Sequence, residues 1–509
     1  MNNKNDFELA LNSHFPLLVV ETHEEGRVVE LLITLARAAA TPLQQWTITD
    51  GLKPLFEDNN FTTWGTKLEL LPKEQDNTGS SAEQHSPIAS LRTIKQQKRP
   101  GLYAMLDFHD HLDDPIAVRL IKEIALEHQL NQQRLIFISH ELTLPNELQR
   151  FSMKLELSLP GREQLKQLLH EEAKLWALKK GNNIKADSKA MEILLDNLTG
   201  LTLTDAKRLL RNAIYDDGAI THDDIPEVQK AKYDLLSQEG LISFEYDTAR
   251  FTEVGGMRHL KQWLDKRKVL FSNNSSNLLD SPKGILLVGV QGSGKSLAAK
   301  AVAGAWGVPL LRLDFAVLYN KYFGETEKNI RKAIQLAEAM SPCVLWIDEI
   351  EKGIATGDHD NGTSRRVLGT LLTWMAEKKG RVFIVATAND IQALPPELIR
   401  KGRLDEIFFV DLPTPKVRED IFHIHLQKRL HNPQQFDLTA LAAAAHNFSG
   451  AEIEQAVVGA CYSAHADNKP LNNQHLQQEL AQTRPLAVVM AEKIEALRHW
   501  ASERTVAAD

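Results

Sequence analysis

Residues 289–296 read Gly-Val-Gln-Gly-Ser-Gly-Lys-Ser, and nothing else in the 509-residue chain restricts the fold as tightly. The run fits GxxxxGK[ST]. It follows a short apolar run at 284–288 and opens a helix-like stretch at 296–305, the strand–loop–helix context that a phosphate loop demands. Gly289, Gly292 and Gly294 let the backbone wrap an anion without Cβ clashes. With Val290, Gln291, Ser293 and Leu297 they complete a cradle whose N–H groups, together with the helix N-terminus, face a phosphate. Lys295 is expected to reach the β- and γ-phosphates, and the Ser296 hydroxyl to ligate Mg²⁺.

A second constellation lies downstream. Val344-Leu-Trp-Ile-Asp348-Glu349 is an apolar strand ending in two acids. Beside a phosphate loop, Asp348 is placed to hold Mg²⁺ and Glu349 to polarise an attacking water as general base. The apolar run 382–386 ends in Thr387-Ala-Asn389, and an Asn there can hold that water. Arg400 and Arg403 follow in IRKGRLDE, far along the chain from the phosphate loop. In a ring they could reach a neighbour's γ-phosphate. The alternative is two surface arginines paired with Asp405 or Glu406.

Short apolar runs alternate with amphipathic stretches in both halves of the chain, which implies parallel sheets covered by helices. After Pro415 the pattern is helical only, as in a small lid. The expected division is an α/β domain over 1–240, with a helical part from about 160, an ATPase-type α/β domain over 250–414, a helical lid over 415–480 and a helical tail over 481–509. Polar stretches at 73–87 and 272–277 read as loops. The halves share three ordered matches: Leu144–Arg150 with Leu394–Arg400, the strand and Pro-rich turn near 155–163 with that near 409–419, and Thr204-Asp-Ala-Lys with Ser449-Gly-Ala-Glu. They point to a duplicated fold, the alternative being two unrelated α/β units. Two cysteines exclude a disulfide scaffold and suit a reducing compartment. The formal charge of −8 gives no global field for nucleic acid. No apolar run approaches the roughly 18 residues of a membrane span. The first residues, MNNKNDFELALNSHF, lack an apolar leader core, so a cytoplasmic protein is expected.

From Phe251 to about Gly459 the chain resembles the AAA ATPase module, with six motifs in order. VGGMRHLK (254–261), carrying Gly255 and Gly256, resembles the lead-in that contacts adenine. KYFGETEKNIRKAIQLA resembles the pore-loop region, with Tyr322-Phe323-Gly324 as an aromatic grip on a threaded chain. Asp358–Gly362, with Arg365 and Arg366 behind it, would be a second pore loop. SPCVLWIDEIE, ATAND and LPPELIRKGRLDE complete the pattern. SGAEIE (449–454) resembles the lid-helix segment in which Gly450-Ala451 replaces an arginine. Over most of its length the chain resembles the AAA proteins of algal plastid genomes and cyanobacteria. The resemblance implies a P-loop NTPase fold with a degenerate AAA-like N-terminal half. It also implies ATP and Mg²⁺ as cofactors, a homo-oligomer, usually a hexamer, and work on a macromolecule.

The N-terminal half departs from that pattern. Where an active module carries its phosphate loop, this half has Glu21-Thr-His-Glu-Glu-Gly-Arg27, whose acids would repel phosphate. Asp107 echoes a Mg²⁺-binding Asp, but Phe108 follows it. This half is expected to be structural or to bind an unidentified protein partner, with one nucleotide per chain. Three His-Glu pairs, at His23, His140 and His170, do not continue to HExxH, and His109-Asp-His111 and His423-Ile-His425 stand isolated, so no zinc site is expected. Three functions compete: a ring-shaped protein remodeller, a nucleic-acid-associated motor, and a nucleotide-switched scaffold. The acidic balance disfavours nucleic acid. Retention of Glu349, Asn389 and both arginines disfavours a pure binder.

Overall fold

The computed structural model describes residues 3–57, 60–61, 86–237, 240–246, 248–272, 280–318, 325–354, 363–378, 380–391, 393–400 and 402–509. Tyr322, Phe323, Gly324, Asp358–Gly362 and nearly all of the loops expected at 73–87 and 272–277 lie outside them. The chain divides into two compact units, 1–160 with 202–204, and 161–201 with 205–509.

In the first unit, strands β1 (Leu17–Glu21), β2 (Leu43–Thr47), β3 (Gly101–Leu106), β4 (Gln133–Ser139) and β5 (Ser152–Leu155) pair in parallel in the order β2-β3-β4-β1-β5. The segment Gly51–Glu57 adds an antiparallel edge beside β2. The inner strands are apolar without alternation because both faces are covered. One face packs Trp46, Phe108 and Phe137 under helices; the other packs Phe7 and helix α1 (Glu25–Ala38). Helix α1 buries Val28, Val29, Leu32, Ile33, Leu35 and Ala36, the stripe that a 3.6-residue period produces.

The second unit starts with four helices, α2 (Arg162–Lys180), α3 (Ser188–Leu198), α4 (Leu203–Asp217, whose first residues fall in the first unit) and α5 (Asp224–Leu236). The expected boundary at 240 places them with the first domain, whereas nearly all of their residues lie in the second unit. Contacts within that unit include Arg381 paired with Asp196 at 3.1 Å, and a Cβ on Gly200 would lie 2.8 Å from the Ala339 carbonyl. The sheet is built from β6 (Gly284–Gly289), β7 (Leu310–Leu313), β8 (Cys343–Ile347), β9 (Val382–Ala388) and β10 (Glu406–Val410), with α6 (Lys295–Trp306) following β6. The parallel order is β7-β8-β9-β6-β10, flanked by Ile242–Glu245 and Val506–Ala507. Buried Phe383, Phe408 and Trp306 fill one face, each such side chain contributing roughly 1.5–3 kcal/mol. The lid is α7 (Pro415–Lys428), α8 (Leu438–Ala444), α9 (Gly450–Ala466) and α10 (Asn473–Gln482) around Phe422, Leu441 and Ile453. Thr414 and Pro415 start α7, and Ser449 with Glu452 forms the capping box of α9. Among the described residues no helix is long and apolar enough to cross a membrane.

The two sheets share one strand order, and their registers align. Ile138 faces Val20 and Leu106; Ala386 faces Leu286 and Ile347. Asp107 therefore corresponds to Asp348, and Ser139 to Thr387. The junctions differ. Helix α1 opens five positions after Val20, whereas α6 opens nine positions after Leu286. The first unit is four residues too short to wrap a phosphate there. Its Glu24 is turned inward instead, accepting from the Leu203 N–H at 2.7 Å and pairing with Arg27 at 2.9 Å. In the second unit the matching contact is made by backbone alone, Ala451 N–H to Gly292 carbonyl at 3.1 Å.

Candidate active site

The carboxyl ends of β6, β8 and β9, the start of α6, the lead-in and the lid enclose a cavity of about 430 Å³. Its floor is the phosphate loop. A Cβ on Gly289 would lie 2.0 Å from the Val410 carbonyl oxygen, so only glycine fits there. Gly292 (φ +77°) and Gly294 (φ +95°) are left-handed, which glycine adopts without strain, and Gly294 caps the N-terminus of α6. Gln291 through Leu297 line the cavity, while Gly289 and Val290 lie beneath it and offer their carbonyls to Lys295 Nζ at 2.9 and 2.8 Å. Burial pushes the Lys295 ammonium down to about 8, against the pull of Glu351, Asp348 and Glu349. The Ser293 hydroxyl is buried without a hydrogen-bond partner among the described residues. A buried cation, an orphaned hydroxyl and a left-handed glycine loop at a helix start fit a triphosphate.

The acids stand on the opposite wall. Ser296 Oγ lies 3.4 Å from Asp348 Oδ1, the pair placed to hold a Mg²⁺ ion. The Thr387 hydroxyl donates to Asp348 Oδ1 at 2.7 Å and accepts the Glu349 N–H at 3.0 Å. Asn389 Nδ2 donates to Glu349 Oε1 at 2.9 Å, and Lys352 pairs with the other oxygen. Glu349 is held at φ +48°, a left-handed conformation outside glycine. Sequence reasoning named Asp348, Glu349 and Asn389, and the structure brings them together. It missed Thr387, Glu351 and Arg312. Glu351 is buried, accepts the Asn389 N–H at 2.9 Å, and has its carboxyl pushed up by that burial. Arg312 stacks on Trp346 and approaches Asp348 Oδ2 at 3.6 Å.

The far end of the cavity is apolar. Val254, Met257, Ile421, Ile424 and Ala451 line it there. Gly255 belongs to it: a Cβ there would meet Ile421 at 2.8 Å. Gly450 and Ala451 also line it. Gly256, expected beside Gly255, faces an adjacent cavity of about 370 Å³. Met257, Ile421 and Ile424 went unnamed on sequence, because hydrophobic residues on a lead-in and a lid helix carry no motif. His425, read as isolated, lies in the same cavity 3.4 Å from Glu454, its imidazole pushed down by burial. Arg400 and Arg403 do not line the cavity within one chain. Arg400 is exposed, and Arg403 is tied to the Glu397 carbonyl. The Asp405 carboxylate accepts the N–H groups of Lys283 and Gly284 at 2.7 and 3.0 Å.

Comparison with known proteins covers the chain from end to end. The model of the ATPase family associated with various cellular activities (AAA) matches residues 285–412. Those of the SpoVK-like AAA ATPase N-terminal domain and second domain match 3–157 and 163–239. The uncharacterized AAA domain-containing protein ycf46 of Pyropia yezoensis is 34% identical over 99% of this chain and 98% of its own length. Its counterpart in Guillardia theta is 34% identical over 98% and 94%. The proteasome-activating nucleotidase of Aeropyrum pernix is 36% identical over 47% of this chain and 61% of its own. A likeness that spans both units, on a cavity shaped for a triphosphate, places the chain in the AAA family of ATPases as an ATP-hydrolysing enzyme.

Proposed function

We propose that the chain is a Mg²⁺-dependent, ring-forming ATPase that remodels a protein or protein complex in the cytoplasm. Arg400 and Arg403 complete the neighbouring subunit's site in a homo-oligomer, a hexamer by family precedent. The observation that carries this reading is a cavity equipped with phosphate loop, acid pair and Asn389, while both arginines stay outside the cavity of their own chain. A relative named for activating a proteasome supports a protein partner. Tyr322 and Phe323 would grip that partner, and the first unit would dock it.

Each residue has a separable task. Lys295 leaves the Gly289 and Val290 carbonyls to meet phosphate oxygens. Ser296 and Asp348 hold Mg²⁺, which neutralises charge on the phosphates when bound. Glu349 takes a proton from the attacking water, and Asn389 orients both. The apolar slot from Met257 to Ile424 selects a purine over bulk water.

The test is a pair of variants in the full-length chain. Lys295→Ala is expected to abolish nucleotide binding by calorimetry. Glu349→Gln is expected to bind one ATP per chain and lose roughly 10²–10⁴ in turnover. Near-normal hydrolysis by Glu349→Gln would remove the base from its role. Nucleic-acid stimulation of turnover that weakens with salt would favour a motor on nucleic acid instead.

A further inference from the structure

In the first unit the sheet keeps the ATPase strand order, but the ends of β1, β3 and β4 carry imidazoles and carboxylates in place of a phosphate loop. Asp107 follows β3, His109 comes two residues later, and His140 follows β4. One donor atom from each lies within 4.8 Å of the other two. The rings of His109 and His140 stand at 90° with centroids 4.9 Å apart, and His23 from the β1–α1 junction stacks on His140 at 5.9 Å. Glu25, at the start of α1, lies near Asp107, and burial together with that second acid pushes its carboxyl up. On sequence these histidines belonged to separate, isolated pairs; the fold brings them to one place.

The cluster is held from beneath. Ser139 is fully buried, and its hydroxyl donates to Asp107 Oδ1 at 3.3 Å and bonds His109 Nδ1 at 2.8 Å. A hydroxyl has one proton, so with Ser139 donating to Asp107, His109 donates through Nδ1. That leaves the lone pair on His109 Nε2, which faces Asp110 Oδ1 at 3.5 Å. That lone pair and the Asp110 carboxylate oxygen face each other, an arrangement that a cation would relieve. The Asp107 backbone is locked at φ +49° by its N–H bond to the Ile138 carbonyl at 3.0 Å. A hydrogen bond that fixes the second nitrogen of a ligating imidazole is the usual support of a metal site.

We propose that Asp107, His109 and His140 form a binding site for a divalent transition-metal ion, with Zn²⁺ the preferred occupant. Two imidazoles and a carboxylate suit Zn²⁺; Mg²⁺ and Ca²⁺ take oxygen-only sets. Glu25 or water supplies the fourth ligand. The site stands at the carboxyl ends of parallel strands, where open α/β sheets collect ligands. Asp107 occupies the register position of Asp348, so both units direct a carboxylate at a cation, and only the cation's class differs.

The test uses the full-length chain with ZnCl₂ as probe, in excess Mg²⁺ so that the ATPase site is occupied. Calorimetry is expected to give one equivalent of Zn²⁺ that Mg²⁺ does not displace, and Co²⁺ in its place to give the visible absorption of a tetrahedral site. The chain has 18 histidines, so the comparator is the His109→Ala/His140→Ala double variant, which is expected to lose that equivalent. His140 is exposed, so its replacement leaves the core intact, and His140→Gln is the second variant. Ser139→Ala is expected to weaken binding by about 10–100-fold through the supporting bonds. Lys295→Ala is expected to leave it unchanged. A zinc equivalent that survives in the double variant, or no uptake above that variant, overturns the site and leaves a hydrogen-bonded cluster.

Discussion

One hydroxyl disciplines the two acids of the candidate site. Thr387 is buried between Asp348 and Glu349, donating to the carboxylate of the first and accepting the backbone N–H of the second. The left-handed backbone at Glu349 costs of order 1–3 kcal/mol and persists only because its surroundings hold it. Thr387→Val keeps the shape and removes the hydroxyl. The Glu349 N–H then has no partner, a loss of about 1–3 kcal/mol, and the acid is free to leave its position. We expect turnover to fall about tenfold or more while ATP affinity changes little. Steady-state kinetics beside a binding isotherm separates the two. A fall in affinity equal to the fall in turnover would place Thr387 in nucleotide binding instead of base positioning. Thr387 stayed hidden in the sequence because it precedes the Asn of ATAND by two residues and resembles any strand-end threonine.

At the scale of elements, helix α5 brings a buried ammonium group near the start of β8. Lys232 is buried, donates to the Thr199 carbonyl at 2.7 Å, and lies beside Cys343 on β8. Burial pushes it from its ordinary 10.5 to about 8, and Lys378 behaves alike. Their folded values lie below the unfolded ones, so between about pH 8 and 10.5 the unfolded chain holds protons that the native chain has shed. Stability therefore rises with pH across that window, by at most about 1.4 kcal/mol per pH unit for each group. Cys343, pushed up to about 12 from 9, opposes this above pH 9. From pH 8 to 9 the urea midpoint should rise, and in Lys232→Met it should rise less. Tryptophan fluorescence during urea titration at several pH values checks this; an unchanged slope in the variant would mean that Lys232 titrates normally. Much at this scale was readable beforehand. Strands 284–288 and 382–386 and the lid helices were legible because their patterns are local. The grouping of α2–α5 with the second unit was not, since contacts such as Asp196 with Arg381 link residues far apart in the chain. The apolar slot failed for the same reason, being assembled from a lead-in, a phosphate loop and a lid.

For the whole molecule, the duplicated strand order and the arginines left outside their own cavity bear on assembly. A trans-acting arginine contributes roughly 10³–10⁵ in rate in related nucleotide hydrolases. Arg403→Ala and Lys295→Ala chains are each expected to be inactive alone. Mixed, they should regain part of the turnover, because an intact cavity from one meets an intact Arg403 from the other. Mixed oligomers that form and stay inactive would return Arg403 to a structural role at the Glu397 carbonyl. The short β1–α1 junction bears on whether the first unit could ever be an ATPase again. Exchanging Glu24 for Lys and adding glycines by substitution would leave the turn four residues short, and would strip the Leu203 N–H of its acceptor. Recovery requires an insertion and the loss of that bond together, and neither change is useful alone. Drift by single substitutions cannot retrace the path, so the first unit is free to specialise in whatever its strand ends now hold.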